Sequence, residues 1–182
     1  MSVFTNPASG SREHAAAYTR ATLELLGEQQ PLDVLRTTPA ALRASVDGMS
    51  EEALSAREAP GKWSVRHVLR HLADSELVWA WRLRMALAQD RPPLTGYDQD
   101  AWAERLHYQA SDAGESLDEF EVVRRGNLRL VERATPEDMQ RVGVHAERGE
   151  ESVAHLMRMY AGHDLLHLRQ IARIREAVAV SI

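Results

Sequence analysis

Two stretches of the chain carry histidines four residues apart: His67 and His71 in WSVRHVLRHLADSE, and His163 and His167 in YAGHDLLHLRQI. On an α-helix, positions i and i+4 stack one turn apart on the same face. A pair so placed can grip one metal ion through two imidazole nitrogens, and a ligand from another helix adds a third corner. Four histidines would close a tetrahedral site and make it structural. Three would leave a position for water or substrate. The spacing alone does not choose between these, nor does it exclude hydrogen-bonded core histidines with no ion.

At about 100° per residue, His71 shares a face with His67, Val68, Ser75 and Val78. His163 and His167 share theirs with Leu156, Met159, Leu166, Gln170 and Ile174, a mainly apolar stripe. An unpaired polar ring buried there costs roughly a few kcal/mol, and a metal would satisfy both rings at once. The remaining histidines, His14, His107, His145 and His155, show no such coupling and read as surface or capping residues.

The elements that must carry these residues are helical. Apolar periodicity predicts long helices over about 12–28, with Ser11 as cap and Gly27 at the fraying end, and over 64–89, 114–134 and 151–178. A short helix is expected near 39–48, with Thr38 as cap and Pro39 in the first helical position. Ser50-Glu51-Glu52 reads as another start, and Pro60-Gly61 stops the chain. Leu94 to Ala113 reads as a long connection with Trp102 on a short helix. Thr135-Pro136 opens a further short turn of helix, and residues 141–149 read as a small extended excursion. Four long amphipathic helices with long connections predict an all-α four-helix bundle, in one domain over 1–182.

Bulk properties narrow the function. The chain has 182 residues, 44% of them hydrophobic, a formal charge of −5 and no cysteine. Without a basic stripe it is not expected to bind nucleic acid. No apolar run reaches the ~20 residues of a membrane span, and the N-terminus lacks a signal-peptide pattern, so the expected location is cytoplasmic. With no thiolate available, a metal must be held by His, Asp or Glu.

The run Trp63-Ser64-Val65-Arg66, followed by His71-Leu72-Ala73-Asp74-Ser75, resembles the second-helix motif of the DinB/YfiT-like superfamily of metal-dependent enzymes. Tyr160-Ala161-Gly162-His163, His167 and Gln170-Ile171 resemble its fourth-helix motif. The linker from Leu87 to Glu104 and the start Thr135-Pro136-Glu137-Asp138 are similar to the YfiT-type branch, which contains hydrolases and bacillithiol S-transferases. The resemblance spans about 58 to the C-terminus. It implies a four-helix bundle, often a homodimer, with a divalent ion, zinc or nickel, held by His71, His163 and His167. His67 departs from the pattern. It is left as a partner of the ligands, a fourth ligand or a surface residue.

An open three-histidine site can activate water for hydrolysis or a thiol for conjugation. The thiol route suits a chain without cysteine, because the sulfur arrives with the cosubstrate. The resemblance therefore implies transfer of a low-molecular-weight thiol, bacillithiol-like, to an electrophilic small molecule, with metal-dependent hydrolysis or a non-catalytic metal-binding bundle as alternatives. Around the ligands, Asp74 is a candidate to orient His71 or act as base, or else to pair with Arg70. Gln170 is a candidate to bond a ligand or substrate, and Tyr160 to donate to an oxyanion or thiol. Arg169 is a candidate to meet an anionic cosubstrate, though a solvated position suits it as well. Trp63 and Trp102 read as packing anchors.

Overall fold

A computed structural model describes the backbone of residues 12–179 and the side chains of residues 15–178. Ser11 and the His14 side chain, with the roles expected of them, lie outside what is described. The helices are α1 (Arg12–Leu26), α2 (Pro31–Val46), α3 (Glu51–Ser55), α4 (Val65–Ala88), α5 (Gln99–Arg105), α6 (Ala113–Val131), α7 (Pro136–Gln140) and α8 (Val153–Ala179). Three short strands, β1 (Pro93–Leu94), β2 (Val142–His145) and β3 (Gly149–Ser152), complete the set.

Helices α2, α4, α6 and α8 form the four-helix bundle, and α1 lies along α8. The close approach of α1 depends on Gly162, where a Cβ would stand 2.3 Å from the carbonyl oxygen of Thr22. The apolar residues divide into two clusters. One holds Leu35, Trp79, Leu83, Val131 and Leu156. The other holds Leu42, Leu69, Leu72, Phe120, Ile171 and Ile174. Following the chain, α2 and α8 pass from the first cluster to the second, whereas α4 and α6 pass from the second to the first. The two pairs therefore run in opposite directions, and joining the parallel helices α4 and α6 requires the long connection 89–112. Between the clusters every bundle helix turns polar: Thr38 on α2, His71 to Glu76 on α4, Arg124 and Asn127 on α6, and His163 to His167 on α8. The histidines sit in this polar waist.

The short helix expected near 39–48 is instead the second half of a 16-residue helix, α2. Pro31, not Pro39, occupies its first turn, and Pro39 lies inside. Thr38 does not cap a helix; its hydroxyl donates back to the carbonyl of Val34 at 2.8 Å. An internal proline leaves the carbonyl four residues earlier without its helical partner. That carbonyl, on Leu35, accepts from Arg124 Nη1 at 3.0 Å, so the break is repaired from α6. The other starts fall as read. Ser50 accepts from the Ala53 amide, and Thr135 caps α7 with Asp138 bonding back.

The excursion after α7 is a hairpin of β2 and β3, extended to three strands by β1 running parallel to β2. Gly143 permits this, since a Cβ there would stand 2.6 Å from the Leu94 side chain. The hairpin carries His145 inward over the end of the bundle.

Candidate metal centre

Helix α4 presents His71, and α8 presents His163 and His167, in one cluster. His71 Nε2 lies 3.1 Å from His163 Nε2, and His167 Nε2 lies 3.1 Å from His163 Nε2. The three candidate ligand atoms all fall within 4.8 Å of one another. Nitrogens bonded to one tetrahedral ion at ~2.0–2.1 Å stand roughly 3.3 Å apart, so the spacing fits a shared cation.

The protonation pattern fits it too. His167 Nδ1 lies 2.8 Å from Gln170 Oε1, an acceptor, so Nδ1 carries the proton and Nε2 turns its lone pair to the centre. Burial pushes His163 and His167 down to about 3, with Arg124 and Arg82 adding to the effect at His163 and the His163 charge at His167. Burial and its two neighbours hold His71 well below the ordinary imidazole value. Three neutral rings crowding nitrogen against nitrogen cannot satisfy each other by hydrogen bonds alone, because each short contact needs a proton on one side. The buried Nδ1 of His71 has no hydrogen-bond partner, so no bond at that end fixes the ring.

His67 stands outside this cluster. Its Nδ1 accepts from the Ser64 amide at 3.4 Å and meets Ser64 Oγ at 2.9 Å, and Arg57 approaches Nε2. It closes the first turn of α4 and is buried, so the fourth-ligand and surface readings both fall away.

The other expected residues divide. Gln170 touches His167. Tyr160 lines the cavity above His163, with ring centroids 6.2 Å apart, and its hydroxyl accepts from Arg82 Nη1 at 3.3 Å. Asp74 lies elsewhere: one oxygen meets Arg70 and the other accepts from the Tyr108 hydroxyl at 2.6 Å. Arg169 is exposed. Trp63 lies against His71 at 5.0 Å between centroids, and Trp102 against Tyr97 at 4.5 Å.

Spacing put Ser75 on the His71 face without giving it a role, and it missed Arg82, Tyr97 and His145 as cavity residues. Ser75 Oγ lies 3.3 Å from His71 Nε2 and 2.6 Å from the Tyr97 hydroxyl. Arg82 and His145 line the same cavity as His71 and His163. His145 is only 2% exposed, a correction to its surface reading. Ser75 and Arg82 are marked on α4 by recurrence at i+4 and i+11 from His71. Nothing local marks Tyr97 or His145. A second cavity reaches the cluster, lined by Trp63, His167, Gln170 and the Glu58–Arg173 pair. Among the described residues, no helix is long and apolar enough to cross a membrane.

A family model described as the DinB superfamily matches residues 35–171. A protein of Oceanobacillus iheyensis named "Putative metal-dependent hydrolase" is 30% identical over 143 residues, covering 79% of this chain and 83% of its own. "Putative metal-dependent hydrolase YfiT" of Bacillus subtilis is 27% identical over 78% of this chain and 82% of its own. A solved structure, described as YfiT from Bacillus subtilis, "a probable metal-dependent hydrolase with an unusual four-helix bundle topology", superposes with a TM-score of 0.77 at 25% identity. It covers 82% of this chain and 86% of that one.

Proposed function

The chain belongs to the DinB superfamily, and on that premise we propose that it is a metal-dependent hydrolase of small molecules, its divalent ion held by His71, His163 and His167. The observation that carries this reading is the convergence of three neutral Nε2 atoms on one point at the wall of an open cavity. Zinc and nickel both suit an all-imidazole donor set. A bound ion supplies Lewis acidity at that point.

The chain's own groups supply the rest. Gln170 holds the His167 ring in the tautomer that frees Nε2, as ligand-orienting partners commonly do. Burial raises the Tyr97 hydroxyl above its ordinary value, so it stays protonated. Hydrogen-bonded to Ser75 at the cavity wall, it can donate to an oxygen that gains charge beside His71. Tyr160, also raised by burial, offers a second protonated hydroxyl. Asp74 is engaged by Arg70 and Tyr108 and has no part in this reading.

Transfer of a low-molecular-weight thiol to an electrophile is the second reading. What favours it is that two cavities reach the cluster, one past His71 and His163 and one past His167. Two substrates could thereby approach one centre.

Two measurements test these readings. Elemental analysis of the wild type, His71→Ala and His163→Ala is expected to show a divalent metal in the first and little in the variants. Equal metal in all three overturns the site. Zinc- and nickel-loaded protein is then given a panel of esters and amides, and separately an electrophilic dye with and without a low-molecular-weight thiol. Metal-dependent turnover without thiol is expected. Conjugation that requires thiol, with no hydrolysis, replaces the hydrolase reading with the transferase one.

A further inference from the structure

Arg82 is 95% buried and lines the cavity that opens on His71 and His163. Its Nε and Nη2 donate to the Thr95 carbonyl at 3.2 and 2.6 Å, and Nη1 donates to Tyr160 at 3.3 Å. Among the described residues, no carboxylate forms an ion pair with it. Nearby Glu151 is taken by Arg148 through two bonds of 2.6 and 2.9 Å. Glu147 lines the cavity, yet no ion pair joins it to Arg82. A guanidinium buried with only neutral partners is costly, and this one faces open space.

The contact between Arg82 and His145 sharpens the point. Their nitrogens, Nη2 and Nε2, stand 3.4 Å apart. His145 Nδ1 accepts from the backbone N–H groups of Glu147 and Arg148 at 3.2 and 3.4 Å, so its lone pair is committed at that end. Burial, then Arg148 and Arg82, lower this imidazole to about 4, which leaves one ring proton at neutral pH, and it must sit on Nε2. Two N–H donors therefore converge from α4 and β2. Donor against donor is a repulsive arrangement that an acceptor between them would relieve. Charge-assisted bonds from a planar guanidinium suit a carboxylate best.

We propose that Arg82 and His145 form an anion subsite that holds the carboxylate of a small acidic substrate in the cavity beside the three-histidine cluster. The proposal rests on the hydrolase reading for what lies next to the acid group. Capture of the acid itself needs no ion.

Titration by NMR with propionate and its neutral isostere propionamide tests it, in both zinc-loaded and metal-stripped protein. Stripped wild type is expected to bind propionate at least about tenfold more tightly than propionamide. Arg82→Gln should erase that preference, and Arg82→Lys should keep part of it. Should Arg82→Gln fail to fold, the Arg82 Nε–H resonance of the wild type decides. A shift with propionate and none with propionamide supports the subsite, and no shift with either overturns it. Equal affinity for the two probes overturns it, as does a folded Arg82→Gln that retains the preference. Propionate binding confined to zinc-loaded protein assigns the acid to the ion and likewise overturns it. A preference that survives in protein with no hydrolytic turnover counts against the hydrolase reading alone.

Discussion

Arg124 and Arg82 are both buried guanidinium groups in the same helical bundle, and their surroundings are opposites. Arg124 spends its donors on five bonds: two to Glu76, two to Asp164 and one to the Leu35 carbonyl. Its plane lies over Phe120 and Trp79, at 4.6 and 5.4 Å from the ring centroids, and Asn127 closes the network by donating to Glu76. Arg82 meets one carbonyl, one hydroxyl and one imidazole, with a cavity beside it. The first surroundings join α2, α4, α6 and α8 and leave no room for a ligand. The second leaves charge and donors uncommitted next to the histidine cluster. Saturation marks the part of the waist that holds the bundle together, and incompleteness marks the part that can bind.

The largest test of that contrast is Arg124→Met. It leaves Glu76 and Asp164 buried without their counter-charge, a loss expected to cost about 3–5 kcal/mol in urea denaturation. Arg82→Gln removes hydrogen bonds but strands no carboxylate, so its cost is expected near ~1 kcal/mol. Equal losses would break the contrast.

Next in size is Gln170→Ala, on the cavity side. Without its acceptor the His167 ring is free to turn or change tautomer, and metal affinity is expected to fall by roughly 10–100-fold. The urea midpoint of metal-stripped protein should barely move. A large shift there would make Gln170 a packing residue instead.

The two regions also respond to acid with opposite sign. Burial raises Glu76 above its ordinary value of 4.5 even with Arg124 beside it. The folded state thus binds more protons than the unfolded one just above pH 4.5, and this contribution weakens as pH rises through the folded value. His145 is lowered from 6.5 to about 4. Here the unfolded state binds more protons between those values, so the contribution is full above pH 6.5 and is lost as pH falls towards 4. In metal-stripped protein the cluster histidines act in the same direction, down to about 3. His145→Gln is expected to flatten the stability curve between pH 4 and 6.5, and Glu76→Gln to steepen the acid side. Both are read by thermal melts across pH.

What was legible in the sequence depended on how far apart the interacting groups lie. Helices α4 and α8 and their histidine faces follow from local periodicity, because ligand spacing and helical pitch are properties of neighbouring residues. Asp74 could be paired with Arg70 for the same reason, but its second partner, Tyr108, is 34 residues away. The His145 environment is assembled by a hairpin turn and by Arg82, 63 residues earlier, so its lack of a neighbouring histidine said nothing about its burial. Helix α2 was misplaced because Thr-Pro is a sound local start signal. Whether it starts a helix or lies within one is decided by a side chain on α6.

That last coupling gives the smallest effect. Pro39 denies the Leu35 carbonyl its bond within α2, and Arg124 supplies one from 89 residues away. In Pro39→Ala the restored amide regains the helical bond, and generic helix propensity would credit alanine with about 3 kcal/mol. The carbonyl is already satisfied, however, and alanine also loosens the unfolded chain. The expected net stabilisation is therefore below ~1 kcal/mol. In an Arg124→Met background the same carbonyl has lost its partner, and Pro39→Ala should recover more. The double-mutant cycle reads the difference as a coupling energy between α2 and α6. If the two substitutions add without coupling, the Arg124–Leu35 bond contributes nothing of its own, and the Arg124 network owes its stability to Glu76 and Asp164 alone.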